Sequence, residues 1–293
     1  MSIALPQPQL LQITGADAVA FAHAQFCNDV IALPNEHWQW NAWLSPQGRV
    51  RFFFLLLRDT ENSLRLLLRG GDAETMRTAL TRFVFRAKVS LHAIVDAPAF
   101  GCDEVEALAA LGTLPQGDTL VCRSGSTGLR LPGSSQRWLL LGSPGSTTVV
   151  AKPFDDALNY WRLDDIRDGL PELAPALEDQ FLPQWLGLGR LDAINLRKGC
   201  YPGQEIMARL HFKGGNKRGL YRIQLRCDAL PAPGTVLVTT TPTAMESGIV
   251  VMAAWTSVGQ AEVLAVLADA AAADSLRIES ATASDIKVVS GFA

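Results

Sequence analysis

At 293 residues the chain is long enough for two or three domains, and with 48% hydrophobic and 19% charged residues it reads as a folded globular protein rather than a disordered one. A formal net charge of −3 excludes a protein built as a whole for nonspecific nucleic-acid binding. The longest strongly apolar run, Phe52 to Leu57, falls far short of the roughly 20 residues of a spanning helix, and the first residues carry no secretory signal pattern.

The predicted elements alternate between strand and helix through the first two thirds of the chain. Gln9–Thr14 is a strand stopped by Gly15, and Asp17 to Phe26 has apolar residues at helical spacing. Trp38–Leu44 and Arg49–Arg58 are strands around the turn Ser45-Pro46-Gln47-Gly48. The unbroken run Phe52–Leu57 predicts burial on both sheet faces. Trp38, Trp40 and Trp43 are read as sharing one strand face, packed in the core or walling a pocket. Ser63–Leu68 is a strand, Asp72 to Phe83 a helix with Asp72 as N-cap, and Lys88–Val95 a strand. Asp103–Leu111 is helical; Thr119–Cys122, Leu129–Leu131 and Arg137–Leu141 are extended, with Gly- and Ser-rich pieces at Ser124–Gly128 and Gly142–Ser146 between elements. A helix opening at Pro153 or Phe154 runs to about Asp168, where Gly169-Leu170-Pro171 ends it.

From Arg218 the helical periodicity disappears and short strand-like runs remain: Leu220–Arg226, Thr235–Thr240, Gly248–Met252, Glu262–Leu267, Leu276–Glu279 and Ile286–Val289. That spacing suggests a small barrel or sandwich, with a linker near Asn216–Gly219.

Five cysteines (Cys27, Cys102, Cys122, Cys200, Cys227), odd in number and without a CxxC or Cys/His zinc pattern, read as free thiols in a reducing, cytoplasmic setting with no metal site. Cys200 is the one whose neighbours argue for reactivity. It sits between Gly199 and Tyr201 in Arg197-Lys198-Gly199-Cys200-Tyr201-Pro202-Gly203-Gln204-Glu205. Lys198 and Arg197 bring positive charge, and Pro202 at a helix's first position places the thiol near a helix N-terminus; both favour thiolate. Gly199 and Gly203 permit positive φ and close approach of a ligand. A Gly-bracketed turn with a small buried cysteine is the plainer reading of the same residues.

Charge is segregated around this stretch. Residues 197–226 hold Arg197, Lys198, Arg209, Lys213, Lys217, Arg218, Arg222 and Arg226 against Glu205 alone, whereas 154–180 is rich in Asp and Glu. Two solvated faces that partly pair explain this; so does a local positive field for an anionic ligand. His211 is read as structural, and no Ser/His/Asp arrangement, P-loop or dinucleotide fingerprint is visible.

On Lys198-Gly199-Cys200-Tyr201-Pro202-Gly203-Gln204-Glu205 the chain resembles the YgfZ family, folate-binding relatives of the glycine-cleavage T-protein. The likeness continues in Ile13-Thr14-Gly15-Ala16-Asp17, Gln25 and Asp29, Gln47-Gly48-Arg49, Phe85–Val89, Gly169-Leu170-Pro171, Gln180–Gln184, Leu191, Met207-Ala208-Arg209 and Gly215-Asn216-Lys217-Arg218, and is weakest in 97–150 and after Arg226. It implies an α+β fold arranged as a T-protein-like three-domain ring, with two ferredoxin-like domains and a C-terminal small β-barrel. Residues 1–100 would be a folate-binding region on which parts of 150–215 pack, 101–215 would carry the motif, and 216–293 would be the barrel. Tetrahydrofolate is the implied ligand. Trp161, Lys198, Gly199, Tyr201, Gly203, Gln204 and Glu205 are the implied folate-site residues, with Cys200 as the functional thiol whose charge Lys198 tunes.

The implied role is support of iron–sulfur cluster assembly or repair, with the assembly machinery or client enzymes as partners and an indirect effect on tRNA thiolation. T-protein enzymes carry an Asp pair where this chain has Phe52-Phe53, and a phenyl ring cannot hold a proton, which argues against aminomethyl transfer. A family aromatic near the first strand falls at Pro8. Two other readings stay open: a folate-dependent methyl or aminomethyl transferase, and an RNA-binding module using the basic stretch. The sequence pI of about 5.8 argues against direct nucleic-acid binding.

Overall fold

The computed structural model describes residues 3–5, 8–95, 98–142, 155–214, 217–240, 246–273, 275–278 and 283–292. The expected helix start at Pro153 or Phe154, Ser143–Ser146, Gly215, the linker residue Asn216 and Glu279 lie outside them. The chain divides into two compact units. One comprises Met1–Trp43, Phe52–Leu158 and Ala193–Pro202; the other comprises Leu44–Arg51, Asn159–Asp192 and Gly203–Ala293.

In the first unit the order is β1 (Ile3–Ala4), β2 (Gln9–Thr14), α1 (Ala18–Gln25), β3 (His37–Leu44), β4 (Val50–Thr60), β5 (Ser63–Leu68), α2 (Ala73–Thr81), β6 (Ser90–Val95), β7 (Ala99–Cys102), α3 (Glu104–Leu111), β8 (Val121–Arg123), β9 (Ser126–Leu131) and β10 (Arg137–Leu141). They build two five-stranded sheets, ordered β3-β4-β5-β2-β6 and β1-β7-β10-β9-β8. The expected helices and strands are present with ends moved by a few residues; β1 and β7 are additional strands that the sequence pattern did not mark. Asp72 caps α2 as expected, its carboxylate accepting from the Thr75 N–H at 2.6 Å.

One face of the first sheet buries α1 and α2 in a core containing Leu11, Ile13, Phe21, Phe26, Trp43, Phe52, Phe54, Leu56, Leu64 and Met76. Every residue from Phe52 to Leu57 is at most 3% exposed, so β4 is covered on both faces as its unbroken apolar run predicts. The tryptophans do not share one face. Side chains alternate along a strand, so 38 and 40 fall on one side and 43 on the other. Trp38 meets Trp40 edge-on at 5.6 Å, and Trp40 stacks on Phe53 at 5.0 Å. Trp43 instead stacks on Phe52 at 6.0 Å, on the side of the helices. Phe52 and Phe53 are therefore neighbours in sequence that anchor two separate aromatic stacks.

The second unit holds α4 (Asp155–Asp168) from Asn159 onward, α5 (Gln204–Lys213), and β11 (Arg218–Cys227), β12 (Val236–Thr239), β13 (Glu246–Ser257), β14 (Gln260–Ala268), β15 (Leu276–Ile278) and β16 (Ala283–Phe292). The strands form a six-stranded antiparallel sheet in the order β15-β12-β13-β14-β11-β16. Its core contains Ile223, Leu225, Val250, Val263, Ala265 and Leu267. Asn159 docks α4 on β13: its amide donates to the Trp255 carbonyl at 2.7 Å and its Oδ1 accepts the Trp255 N–H at 2.8 Å. Gly169 ends α4 at φ +66°, where a Cβ would press within 2.6 Å of the Phe292 ring. Among the described residues no helix is long and apolar enough to cross a membrane.

Phe53 is fully buried and carries one whole stack, so Phe53→Ala is expected to cost about 3–5 kcal/mol in urea unfolding, with an unchanged m-value. Phe53→Asp is expected to cost more, because it adds a buried carboxylate to the cavity.

Candidate functional site

α1 ends with carbonyls that no helical N–H can reach. Lys198 supplies the donor. Its Nζ bonds the His23 carbonyl, the Phe26 carbonyl at 2.5 Å and the Asn28 carbonyl at 3.3 Å, and it lies 4.8 Å from the centroid of the Tyr201 ring. Lys198 is only 8% exposed. A buried ammonium costs several kcal/mol unless its protons are engaged. Here three carbonyls, the negative end of α1 and an aromatic face offset that cost.

The loop is set by Asn195. Its Oδ1 accepts the N–H groups of Arg197 at 2.8 Å and Lys198 at 3.0 Å, and its own N–H donates to the Cys27 carbonyl at 2.9 Å. Lys198 and Tyr201 are buried, whereas Arg197, Gly199 and Cys200 are exposed. Two inward anchors thus hold a two-residue tip, and the Cys200 thiol stands on it.

Beneath the loop lies a buried polar cluster. Asn41, fully buried, accepts through Oδ1 from the N–H groups of Asn28 and Ala42, both at 2.9 Å. Asn28 Nδ2 donates to the Trp40 carbonyl at 2.9 Å, and the Cys27 thiol donates to the Ala193 carbonyl at 3.3 Å. Burial pushes the Cys27 thiol up to about 12 and the Lys198 ammonium down to about 8. Burial, then the Lys198 charge, lowers His23; Asp29, 3.3 Å from its Nδ1, acts the other way. Burial also raises the Tyr201 phenol. The Tyr201 hydroxyl, the Asn41 Nδ2 and the Trp40 indole N–H are buried without a hydrogen-bond partner among the described residues.

From Gly203 the motif belongs to the second unit. The helix begins later than the sequence suggested. Gly203, at φ +80°, is the N-cap, and Gln204 is the first helical residue, so Pro202 lies outside α5 and Cys200 four residues before it. The left-handed backbone at Gly203 interrupts the run that Pro202 was expected to start. A Cβ at Gly203 would come within 2.6 Å of the Ser45 carbonyl and 2.8 Å of the Gly48 Cα. Gly48, at φ +73°, faces Ile206. Two glycine turns therefore pack backbone to backbone. Gly199 differs: its φ is not positive, and a Cβ there would meet nothing within 4 Å. Gln204 is half-buried, Glu205 exposed, and Trp161 on α4 is 6% exposed.

Asn41, Asn195 and the Cys27–Asp29 segment escaped the sequence reading. An Asn two residues before Arg197 is an Asx-turn signal that points to the loop, but nothing local marks Asn41 or the Lys198 acceptors. Trp185 was also missed; Arg49 and Arg218 lie 5.1 and 5.5 Å from its ring centroid. Among the described residues no group of three His, Cys, Asp or Glu side chains is placed to hold a metal.

Exposure separates the thiols. At pH 8 a disulfide reagent is expected to label Cys200 and Cys122 rapidly in the native protein and Cys27, Cys102 and Cys227 only on unfolding; Cys200→Ser is expected to remove one fast equivalent. Lys198→Met leaves the α1 carbonyls without their donor, with an expected loss of about 2–3 kcal/mol. The folded chain releases the Lys198 proton near 8 and the unfolded chain near 10.5, so the unfolded state binds more protons between those values. The stability of the wild type relative to Lys198→Met is therefore expected to rise from pH 8 to about pH 10, measured by urea unfolding at each pH.

No family model matches the chain. In sequence it is similar to the tRNA-modifying protein YgfZ of Yersinia enterocolitica, 29% identical over 242 residues that cover 79% of this chain and 73% of the relative. The tRNA-modifying protein YgfZ of Sodalis glossinidius is 29% identical over 244 residues, 79% of this chain and 74% of the relative. In structure the chain is similar to the glycine cleavage system aminomethyltransferase T from Bartonella henselae, with a TM-score of 0.70 at 15% identity, covering 99% of this chain and 84% of that one. That last likeness gives the fold alone, which is T-protein-like. In sequence, then, the chain is similar to proteins described as tRNA-modifying YgfZ, and in fold it is T-protein-like.

Proposed function

We propose that the protein binds tetrahydrofolate and supports iron–sulfur cluster assembly or repair in the cytoplasm, acting indirectly on tRNA thiolation, with Cys200 as its working thiol. The observation that carries this reading is the Lys198–Tyr201 loop, which spends a buried ammonium and a buried aromatic ring on presenting one exposed thiol. The relatives' description as tRNA-modifying proteins fits the same role.

Tetrahydrofolate fits the residues present. The Tyr201 hydroxyl and Asn41 amide are buried polar groups without partners among the described residues, and a pteridine offers edges of both kinds to such groups. The proposal also takes Trp161, Gly203, Gln204 and Glu205 as folate-contacting residues. When bound, the folate would supply one-carbon chemistry or a regulatory signal. The proposal also carries the division into regions 1–100, 101–215 and 216–293, the last as a small barrel. The protein chain's own part is to hold Cys200 out of the core and to keep its backbone fixed, through Asn195 and Lys198, for attack, ligation of a transient cluster or redox exchange.

Aminomethyl transfer loses support from the same structure. Residues 52 and 53 are Phe side chains at most 3% exposed, locked in separate stacks, and offer no acid to steer an amine.

Tetrahydrofolate is expected to quench the intrinsic tryptophan fluorescence saturably, with a smaller change in Trp161→Phe; absence of quenching in the wild type removes the folate half of the proposal. In cells lacking the native gene, Cys200→Ser is expected to restore thiolated tRNA and cluster-enzyme activity poorly. Full restoration by Cys200→Ser would end the thiol half.

A further inference from the structure

The motif does not account for a second group of residues, in the second unit. Two guanidiniums approach the Trp185 ring, Arg49 at 5.1 Å and Arg218 at 5.5 Å from its centroid. Gln184 Nε2 donates to the Met207 carbonyl of α5 at 3.3 Å, and Gly48, next to Arg49, faces Ile206 of α5. The arginine–tryptophan group and α5 therefore adjoin. On α5, Arg209 and Phe212 are three residues apart and both exposed, Phe212 at 76%. The His211 ring meets the Phe212 ring edge-on at 5.0 Å, and Lys217 is exposed just beyond the helix. Glu205, four residues before Arg209, is the only acid in residues 197–226.

We infer that this surface docks RNA, with Arg209, Lys217 and the Trp185 arginines on phosphates and Phe212 under an unstacked base. The inference rests on the proposed link to tRNA modification and gives it a physical contact. Its argument is the combination present. Cations at several points set the register of a phosphate chain, whereas an exposed flat ring among them suits a base face, which every nucleotide has. An acidic protein surface would match the charges but would leave Phe212 in water. The field is local, because the whole chain carries −3, so attraction should fall steeply with salt.

The test uses the full chain and a fluorescein-labelled, unmodified tRNA transcript, with anisotropy followed from about 50 to 200 mM salt. Expected is saturable binding whose affinity drops with salt. Arg209→Ala with Lys217→Ala should weaken binding about tenfold at the lowest salt and reduce the slope of log K against log salt by about 1.5. Phe212→Ala should weaken binding about tenfold with the slope unchanged. All three side chains are exposed, so thermal melts of the variants should match the wild type. Absence of tRNA binding by the wild type overturns the inference, and so does binding that these variants leave unchanged. Poor complementation by the variants with tRNA affinity intact also overturns it, pointing to a protein partner. Tetrahydrofolate quenching, read in the same samples, keeps the two ideas apart. Quenching without patch-dependent tRNA binding removes only this surface; patch-dependent binding without quenching removes only the folate reading.

Discussion

Much of the first unit's candidate site depends on one buried charge. The Lys198 ammonium closes the end of α1 by bonding the carbonyls of His23, Phe26 and Asn28, and in doing so fixes the loop that follows it. An ammonium held this deep is tolerated only because its protons all point at oxygen and its remaining face meets the Tyr201 ring. The consequence reaches Cys200. With 198 and 201 tied inward and Asn195 bracing the backbone ahead of them, the residues between have nowhere to go but outward. The exposed thiol is thus a product of its neighbours' burial, and the lysine that sequence logic assigned to tuning the thiol is the residue that positions it.

The same economy appears in the aromatic strand. Phe52 and Phe53 each have a packing task on their own sheet face. Phe52 stacks with Trp43 beside the helices and Phe53 with Trp40 on the far side. Neither position would accept a carboxylate singly, since each ring is a partner in a stack and fills volume that a charge could occupy only unpaired.

What was legible in the sequence follows from the range of the interactions involved. Local signals carried the elements: the Asp72 cap, the apolar run of β4, and the Gly169 stop were all readable because each is settled within a few residues. The motif marked the loop. Its inner logic was hidden because Lys198 acts on carbonyls at least 170 residues earlier, and a backbone carbonyl has no sequence signature. Trp43 falls on the opposite face from Trp38 and Trp40 because two residues, Asn41 and Ala42, separate it from Trp40. Gly199 and Gly203 look alike in sequence, yet only Gly203 has a positive φ and a crowded Cβ direction, because crowding there comes from the distant turn at Ser45–Gly48.

That contrast bears on what the motif is for. Gly203 is explained by structure alone: a side chain there would collide with backbone, so the residue is required for folding whatever the protein does. Gln204 and Glu205 follow as the opening of α5. Gly199 has no such excuse. Its backbone is ordinary and the space over it is open, so neither packing nor strain asks for glycine. The absence of a side chain there leaves the backbone beside the exposed thiol open to solvent. The motif thus separates into a half from Gly203 onward, whose glycine the packing requires, and a half from Lys198 to Tyr201 that holds the thiol at the surface.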